Sequence, residues 1–449
     1  MSVASEITRL QTAKADIKAS IEAKGITVSN SLTIDEYPVL IDSIYPDVPP
    51  KDINFFDYDG TLLYSYGADE FQSLTSLPPN PTHPGLTAQG WNWTLADIKS
   101  VTDSTNRADQ RRLNVGQNYI TVDGKTHLYI DIPTGHNTLV QLNFETYWGN
   151  STIEIEWGDG NTDTVSGDSD NNITTTHTYS STGNYVIKVK KTSNQGDIGL
   201  GITNKRPIIG QGTNVYDQTT LNLEMCSYLR KVEVGTGFYI RYQAFSNQSN
   251  LETITIPATQ TTGIQYPFRN CYALKFLVYP SHSNTTRIES IRECYALQGI
   301  CFSKYVTIIA GNAFYEDRSL KYLSIPKTVT TLTGGQQFYG CRALSGPLDF
   351  YTATSSGDIG STCFENMYSI NRLTLPSTVT AFSGETFRYC RVLKEIIVPA
   401  TTPPTLGHVN AFLDLPSDYV IKVPANSINS YRAAPNWSDS SIVSHIVSM

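Results

Sequence analysis

The chain has 449 residues, too many for one hydrophobic core, so its length predicts about three or more domains. A net charge of −8, from 33 Lys and Arg against 41 Asp and Glu, leaves no large basic field and argues against nucleic-acid binding through phosphates. No apolar run of about 18 residues occurs, so no membrane-spanning helix is predicted.

The first predicted element is a helix over residues 3–24, which Gly25 ends. Its apolar residues alternate in steps of four and three, the spacing of a short coiled coil in which Lys14 is the one polar position. This seam is predicted to form a homo-oligomer, as a trimer, or to dock into a partner protein: Val3, Ile7, Leu10, Ile17 and Ile21. A helix packed on its own chain is the alternative. The charged first residues lack the apolar stretch of a secretory signal, so an exported precursor is not expected.

A second short helix is predicted from Thr33 to Ile44, followed by a proline-rich linker. Residues 49–116 then combine short β patterns with a Pro-rich, aromatic loop, which predicts a small adaptor unit. Trp91 and Trp93 alternate as neighbours on one strand face do, and we interpret both as core residues.

Two acidic segments contain residue types that catalytic or metal sites use. Asp57-Tyr-Asp59-Gly-Thr resembles the nucleophile motif of haloacid-dehalogenase-like phosphatases, and the resemblance implies Asp57 as nucleophile and Asp59 as acid/base. Such sites need parallel strands alternating with helices, whereas residues 60–157 show β patterns with hardly a helix. Asp168 and Asp170 lack the remaining spacing of a calcium loop. We therefore assign no catalytic residue, metal or cofactor, and the phosphatase stays a remote alternative.

Residues 117–195 alternate apolar and polar residues with a period of two, which predicts an antiparallel β-sandwich. The five runs are Ile120/Val122, Leu128/Ile130/Ile132, Val140/Leu142/Phe144, Ile153/Ile155/Trp157 and Tyr185/Ile187/Val189. The W-G-D-G turn at 157–160 and the later H-T-Y and G-x-Y strand pair, from His177 to Tyr185, resemble the polycystic-kidney-disease-type immunoglobulin-like domain. That resemblance implies a spacer or adhesion module.

The remaining chain, residues 196–449, repeats the phrase Phe-x-x-Cys-x-x-Leu-x-x-Leu-x-Ile-Pro about every 23 residues. The Cys position defines one column: Cys226, Gln248, Cys271, Cys294, Asp317, Cys341, Met367 and Cys390. Because glutamine, aspartate and methionine share this column, we interpret its cysteines as small buried apolar residues. The phrase resembles BspA-like leucine-rich repeats, which implies a solenoid, and Tyr431 and Trp437 are predicted to cap its end.

One stripe of residues is predicted to point outward from the strands of the solenoid. It consists of Lys231, Thr253, Phe276, Tyr322, Arg372 and Glu395. An aromatic pair with mixed charge suits a glycan or protein receptor, and ordinary solvated sheet surface is the alternative.

The sequence thus predicts a mainly β, multidomain protein without enzymatic activity. Its expected domains are a helical segment (1–48), the adaptor unit (49–116), the sandwich (117–195) and the repeats (196–449). The N-terminal phrase EITRLQTAKADIKASIEAKG and the adaptor unit resemble modules of phage tail proteins. This resemblance implies a virion component, assembled in the host cytoplasm, that touches the host surface; a bacterial cell-surface adhesin is the alternative.

Overall fold

The computed structural model describes residues 11–12, 14–15, 17–18, 52–102, 113–147, 149–168, 172–193, 197–214, 216, 219–260, 267–283, 287–326, 328–332, 334–350 and 358–449. The chain forms two compact units, Met1–Lys51 and Asp52–Met449. In the first unit the described residues, among them Ile17, are helical, and Val3, Ile7, Leu10 and Ile21 lie outside the described residues. Strands far outnumber helices among the elements of the second unit, which confirms the mainly β prediction.

The second unit begins with a four-stranded sheet, which we call the first sheet. Its strands are β1 (Ile53–Phe56), β2 (Leu62–Tyr66), β3 (Leu86–Trp91) and β4 (Leu113–Thr121), in the order β2-β1-β4-β3, with helices α1 (Ala68–Gln72) and α2 (Leu95–Val101). Strand β1 is antiparallel to β2 and parallel to β4. Trp93 is buried with Phe55 and Phe71, as predicted, whereas Trp91 is half-buried against them.

Two further sheets enclose the core predicted for the sandwich. Their strands are β5 (Thr126–Ile132), β6 (Leu139–Tyr147), β7 (Ser151–Glu156), β8 (Thr162–Gly167), β9 (Ile173–Thr178), β10 (Gly183–Lys191), β11 (Asp197–Leu200), β12 (Leu229–Glu233), β13 (Phe238–Ile240) and β14 (Thr253–Thr255). The orders are β14-β12-β5-β10-β7-β8 and β13-β11-β6-β9. One predicted run was wrong: Ile120 belongs to β4 of the first sheet, and Val122 is exposed beyond it.

The repeats continue the sandwich sheets instead of starting a separate body. Strand β12 pairs antiparallel with β5 and parallel with β14, and β11 pairs antiparallel with β6 and parallel with β13. Sandwich and solenoid therefore share one continuous hydrophobic core. The sequence pattern could not show this, because period-two strands and repeat strands each predict their own sheet.

The W-G-D-G turn and the later strand pair meet in one cluster. Trp157 is buried, and the ring of His177 stacks on it at 4.8 Å. Asp159 accepts a hydrogen bond from the backbone N–H of Asn161 at 3.0 Å and pairs with His177 Nε2 at 2.7 Å. Tyr179 donates its hydroxyl to the carbonyl of Trp157 at 2.8 Å. These contacts fix the turn against the core.

The solenoid has two parallel ladders along its length. The longer strands are β15 (Phe276–Val278), β17 (Gly299–Cys301), β19 (Tyr322–Leu323), β21 (Gly346–Asp349), β23 (Ile370–Thr374), β25 (Glu395–Ile397), β27 (Val420–Val423) and β28 (Ile446–Ser448). The second ladder has two-residue strands: β16 (Arg287–Ile288), β18 (Ile308–Ile309), β20 (Thr331–Leu332), β22 (Asp358–Ile359), β24 (Ala381–Phe382) and β26 (Thr405–Leu406). Short helices are α3 (Leu223–Cys226), α4 (Ile428–Ala433) and the 3-10 turns Val409–Phe412, Ala425–Ser427 and Val443–His445.

Two columns of buried side chains, the cysteine column and a ladder of phenylalanine rings, hold the repeats together. Every residue of the cysteine column is buried, and the thiols of Cys271, Cys294 and Cys390 lie 2.8–3.0 Å from phenylalanine carbonyls of the preceding repeat. Neighbouring phenylalanine rings stack, for example Phe364 on Phe387 at 5.8 Å. Burial raises the pKa of the Cys390 thiol to about 12, so it stays a protonated donor.

The C-terminal end of the solenoid is covered as expected. Tyr431 and Trp437 are fully buried, and they donate hydrogen bonds to the carbonyls of Ala400 and Pro404 at 2.8 and 2.7 Å. One more strand, β28, pairs with β27. Its sequence lacks the repeat phrase, which is why the pattern did not predict it.

Candidate binding surface

The repeat period places the six residues of the predicted stripe in common register on parallel strands. The pairs are Lys231 with Thr253, Phe276 and Tyr322 on either side of Gly299, and Arg372 with Glu395. Register alone does not make a surface available, because the first sheet packs on part of this strand face.

The expectation that Phe276 is exposed is wrong. Its side chain is only 1% exposed. The ring of Phe56, from the first sheet, lies 5.1 Å from Phe276 and 5.5 Å from Tyr322. Two glycines permit this approach: a Cβ on Gly60 would lie 2.8 Å from the Phe276 ring, and one on Gly116 would lie 2.5 Å from a valine of β15.

Hydrogen bonds fasten the first sheet to the repeats. Asn92 Nδ2 faces three backbone carbonyls, those of Tyr279, Cys301 and Phe302, at 3.0, 3.3 and 3.2 Å. Its Oδ1 accepts from the backbone N–H of Gly116 at 2.9 Å. Trp93 Nε1 also donates to the carbonyl of Phe302, at 2.6 Å. This half of the strand face is therefore an internal interface.

Lys231 belongs to a half-buried polar cluster between the first sheet and the sandwich. Its Nζ lies 2.7 Å from Glu233 Oε1 and over the rings of Tyr58 and Tyr129. Tyr129 donates its hydroxyl to Glu233 Oε2 at 2.7 Å. Burial opposes the ionisation of Glu233, but hydrogen bonds from His127, Lys231 and Tyr129 outweigh it and lower its pKa to about 2. Lys231 is thus an ion-pair partner in this cluster, and its side chain is still 31% exposed.

Four other stripe residues also keep a solvent-facing part, among them Tyr322, which is half-buried against Phe56. Thr253 is half-buried. Arg372 Nη2 lies 3.2 Å from Asp349 Oδ2, and Glu395 Oε1 lies 3.2 Å from Lys422 Nζ. A role in ligand binding stays a prediction for these four and for Lys231.

Asp57 follows strand β1 and serves a local hydrogen-bond network. It is buried, its Oδ1 accepts from the hydroxyl of Tyr119 at 2.9 Å, and its Oδ2 lies 2.7 Å from His83 Nε2. Asp59 accepts from a backbone N–H of its own turn. Because β1 lies between one antiparallel and one parallel neighbour, this is not the doubly wound parallel sheet that the phosphatase resemblance implies.

The turns of the solenoid carry a more exposed ladder, which we call the outer column. It consists of the residues that follow the cysteine column: Tyr272, Tyr295, Arg318, Arg342, Tyr368 and Arg391. Tyr272 and Tyr295 are 40% and 36% exposed, and their rings stack at 5.0 Å. The guanidinium of Arg318 lies 4.7 Å from the ring centre of Tyr295. Arg342 and Arg391 lie 5.3 and 5.7 Å from the ring of Tyr368.

A second ladder, the inner column, consists of the residues that follow the phenylalanine ladder: Ser246, Arg269, Arg292, Tyr315, Tyr339, Glu365 and Arg388. Tyr315 stacks on Tyr339 at 4.9 Å, and Arg292 lies 5.7 Å from the ring of Tyr315. We call the two columns together the tyrosine–arginine edge. The stacking fixes rings that would otherwise rotate, so the edge is ordered before any ligand arrives.

The sequence contains the signal for this edge in the turns of the repeat, whereas the predicted stripe lies on its strands. Sequence reasoning followed the strand positions, where period two separates inward from outward residues. Counting the position after each column cysteine shows only tyrosine or arginine from the third repeat onward. Tyrosine and arginine are the side chains enriched where proteins bind their partners.

Neither a metal cluster nor a membrane span is seen in the part of the chain that the structure describes. No group of three or more His, Cys, Asp or Glu side chains is placed there to hold an ion. No helix there is both long and apolar enough to span a bilayer.

The fold and its ladders define a leucine-rich-repeat solenoid. Residues 223–345 and 316–414 match the family model of the BspA type leucine rich repeat region, in six copies, so the repeats are of this type. A crystal structure of a leucine-rich repeat protein from Bacteroides ovatus is similar at 17% identity, over 50% of this chain and 85% of that chain, with a TM-score of 0.17. No curated protein matches the chain significantly.

Proposed function

We propose that this chain is a non-enzymatic binding protein whose repeat solenoid holds a glycan or protein on a host-cell surface. The outer column carries the proposal, because it offers a tyrosine or arginine on each of six successive turns, and all of them except the half-buried Tyr368 are exposed. Large planar side chains that are already stacked lose little conformational entropy on binding. In this proposal the sandwich, which resembles a spacer module, holds the solenoid away from the N-terminal part of the protein.

The same proposal makes the protein a virion component of a bacteriophage, in the tail, baseplate or fibre. The N-terminal phrase and the adaptor unit, which resemble phage tail modules, support it. Copies joined through the predicted seam let weak single sites act together. The N-terminal helix then serves for oligomerisation or for docking to other virion proteins.

A cell-binding assay tests the receptor role. Labelled full-length protein is expected to bind intact cells of the bacterium that the source of this gene infects or inhabits. The double variant Tyr295→Ala/Arg318→Ala is expected to weaken this binding at least about tenfold, the loss typical of two hot-spot residues. Glu252→Ala/Lys275→Ala, which removes an exposed ion pair outside both columns, is the matched control. Equal binding by both variants would overturn the role of the outer column.

Imaging tests the location. Antibody against the full chain, detected by immunogold microscopy, is expected on purified phage particles. Label on uninfected bacterial surfaces with none on particles would replace the virion proposal with that of a cell-surface adhesin.

A further inference from the structure

A cavity of about 190 Å³ lies at the N-terminal end of the tyrosine–arginine edge. Its lining residues are Tyr216, Gln243, Ser246, Arg269, Ser290 and Arg292. Ser246 stands at the start of the inner column, where most of the following repeats carry arginine or tyrosine. The cavity is thus the volume that a large side chain would occupy at this position.

Polar atoms in the wall of the cavity have no protein partner within the described residues. Ser246 is 1% exposed, and its hydroxyl makes no hydrogen bond. The Nε atoms of Arg269 and Arg292 are buried and likewise lack an acceptor. Leaving such a buried group unsatisfied costs free energy, so a ligand that supplies acceptors gains from the donors already in place.

The charge in the cavity is positive. Arg269 and Arg292 stand one repeat apart, and the carboxylate of Glu293, 3.6 Å from Arg292, lies close enough to act on both guanidinium groups. Burial and then repulsion from Arg292 lower the pKa of Arg269, although a guanidinium stays protonated in proteins. Two neighbouring cations with one anion favour the binding of a further negative group.

We propose that this cavity binds an oxyanion carried by a sugar, either a carboxylate or a phosphate group. Guanidinium groups pair with both anions through two parallel hydrogen bonds. The cavity is smaller than the roughly 300–1,000 Å³ of drug-sized pockets, which suits one charged group and part of one sugar ring. The ring of Tyr216, 5.6 Å from the Arg269 guanidinium and 46% exposed, offers an aromatic face to that sugar. This inference deepens the proposed function, on which its biological meaning rests.

Calorimetric titration of the full-length protein tests the cavity with three probes: D-glucuronate, D-glucose 6-phosphate and neutral D-glucose. We expect millimolar binding of at least one acid and none of glucose, and the preferred acid identifies the anion. Arg269→Gln and Arg292→Gln are each expected to weaken binding at least tenfold. Arg230→Gln, which alters a partly exposed ion pair with Asp131 outside the cavity and both columns, is the matched control and should bind as the unaltered protein does.

A second variant guards against loss of folding. Ser246→Tyr should fill the cavity with the side chain that the inner column carries elsewhere, and it is expected to abolish the titration without lowering the melting temperature. Failure of both acids to bind, equal binding of glucose, or binding that survives in Arg269→Gln/Arg292→Gln would overturn the inference. If neither acid binds but the protein still binds cells, only the inference about the cavity is overturned. The outer-column variant tests the proposed function separately.

Discussion

Asp317 stands in the cysteine column, and its Oδ1 accepts a hydrogen bond from the backbone N–H of Cys294 at 2.8 Å. The carboxyl group is fully buried, and its second oxygen has no partner among the described residues. Burial raises the pKa of Asp317 well above its ordinary value. An acid thus occupies a place where the neighbouring repeats use a thiol as a neutral donor.

Replacement of Asp317 by cysteine is expected to stabilise the protein by about 1–3 kcal/mol at neutral pH, because the buried acid is removed. Because the pKa of Asp317 is higher in the folded than in the unfolded protein, its protonated form favours folding. This contribution to the free energy of unfolding is complete below the unfolded pKa of about 4 and is lost as the pH rises toward the folded pKa. Denaturation midpoints between pH 4 and 8 should therefore fall for the natural chain and change less for Asp317→Cys. Asp418→Asn, which alters an exposed acid of the solenoid, is the control. Parallel curves for Asp317→Cys and the natural chain would contradict this explanation.

Asn92 is the central hydrogen-bonding residue between the first sheet and the repeats. Asn92→Ala removes the side-chain partner of the buried Tyr279 carbonyl and of the Gly116 N–H, so we expect a loss of about 2–4 kcal/mol. The first sheet should also become sensitive to limited proteolysis under conditions in which the natural chain resists. Asn150→Ala, at an exposed turn, is the control. Unchanged protease resistance in Asn92→Ala would show that apolar packing around Phe276 suffices.

The sequence predicted the solenoid, the buried cysteine column and the capping role of Tyr431 and Trp437, because each depends on a period or a local signature. It did not predict that the first sheet covers Phe276. That contact joins residues more than two hundred positions apart, and each partner alone has the pattern of an ordinary strand face. The exposed tyrosines of the edge were missed for a different reason: period-two reasoning applies to strands, and the edge lies in turns.

Glu233 ties the pH dependence of folding to the junction with the first sheet. Its folded pKa of about 2 lies below an unfolded value near 4.5, so its contribution is present above pH 4.5 and lost as pH falls toward 2. Glu233→Gln should cost about 2–3 kcal/mol at pH 6 and should flatten the acid limb of the stability curve. Glu252→Gln, which alters an exposed ion pair, should change stability by less than about 1 kcal/mol. If both variants lost the same stability at low pH, that loss would have to come from other carboxylates.

Trp437 covers the C-terminal end of the hydrophobic core of the solenoid. Its ring lies 5.7 Å from Phe412 and 5.9 Å from Phe382, so Trp437→Ala opens a large cavity and exposes the stacked end. We expect a loss of about 3–5 kcal/mol and association of the opened ends, measured by denaturation and by static light scattering. Leu413→Ala removes an exposed apolar side chain of the same region and should leave both measurements unchanged. A Trp437→Ala protein with the stability and the mass of the natural protein would mean that β28 alone closes the end.

The row of apolar residues in the N-terminal helix predicts that the protein forms an oligomer. With apolar residues at coiled-coil spacing around Ile17, the full-length protein is expected to be a trimer, with a mass by multi-angle light scattering near three times 49.7 kDa. Removal of residues 1–25 should give a monomer with an unchanged melting temperature, because the repeats carry their own core. Ile17→Asp, which places a charge in the seam, should act like the deletion, whereas Lys18→Ala should not. A full-length protein that is monomeric, and that docks to other virion proteins equally well without residues 1–25, would exclude both roles of the seam.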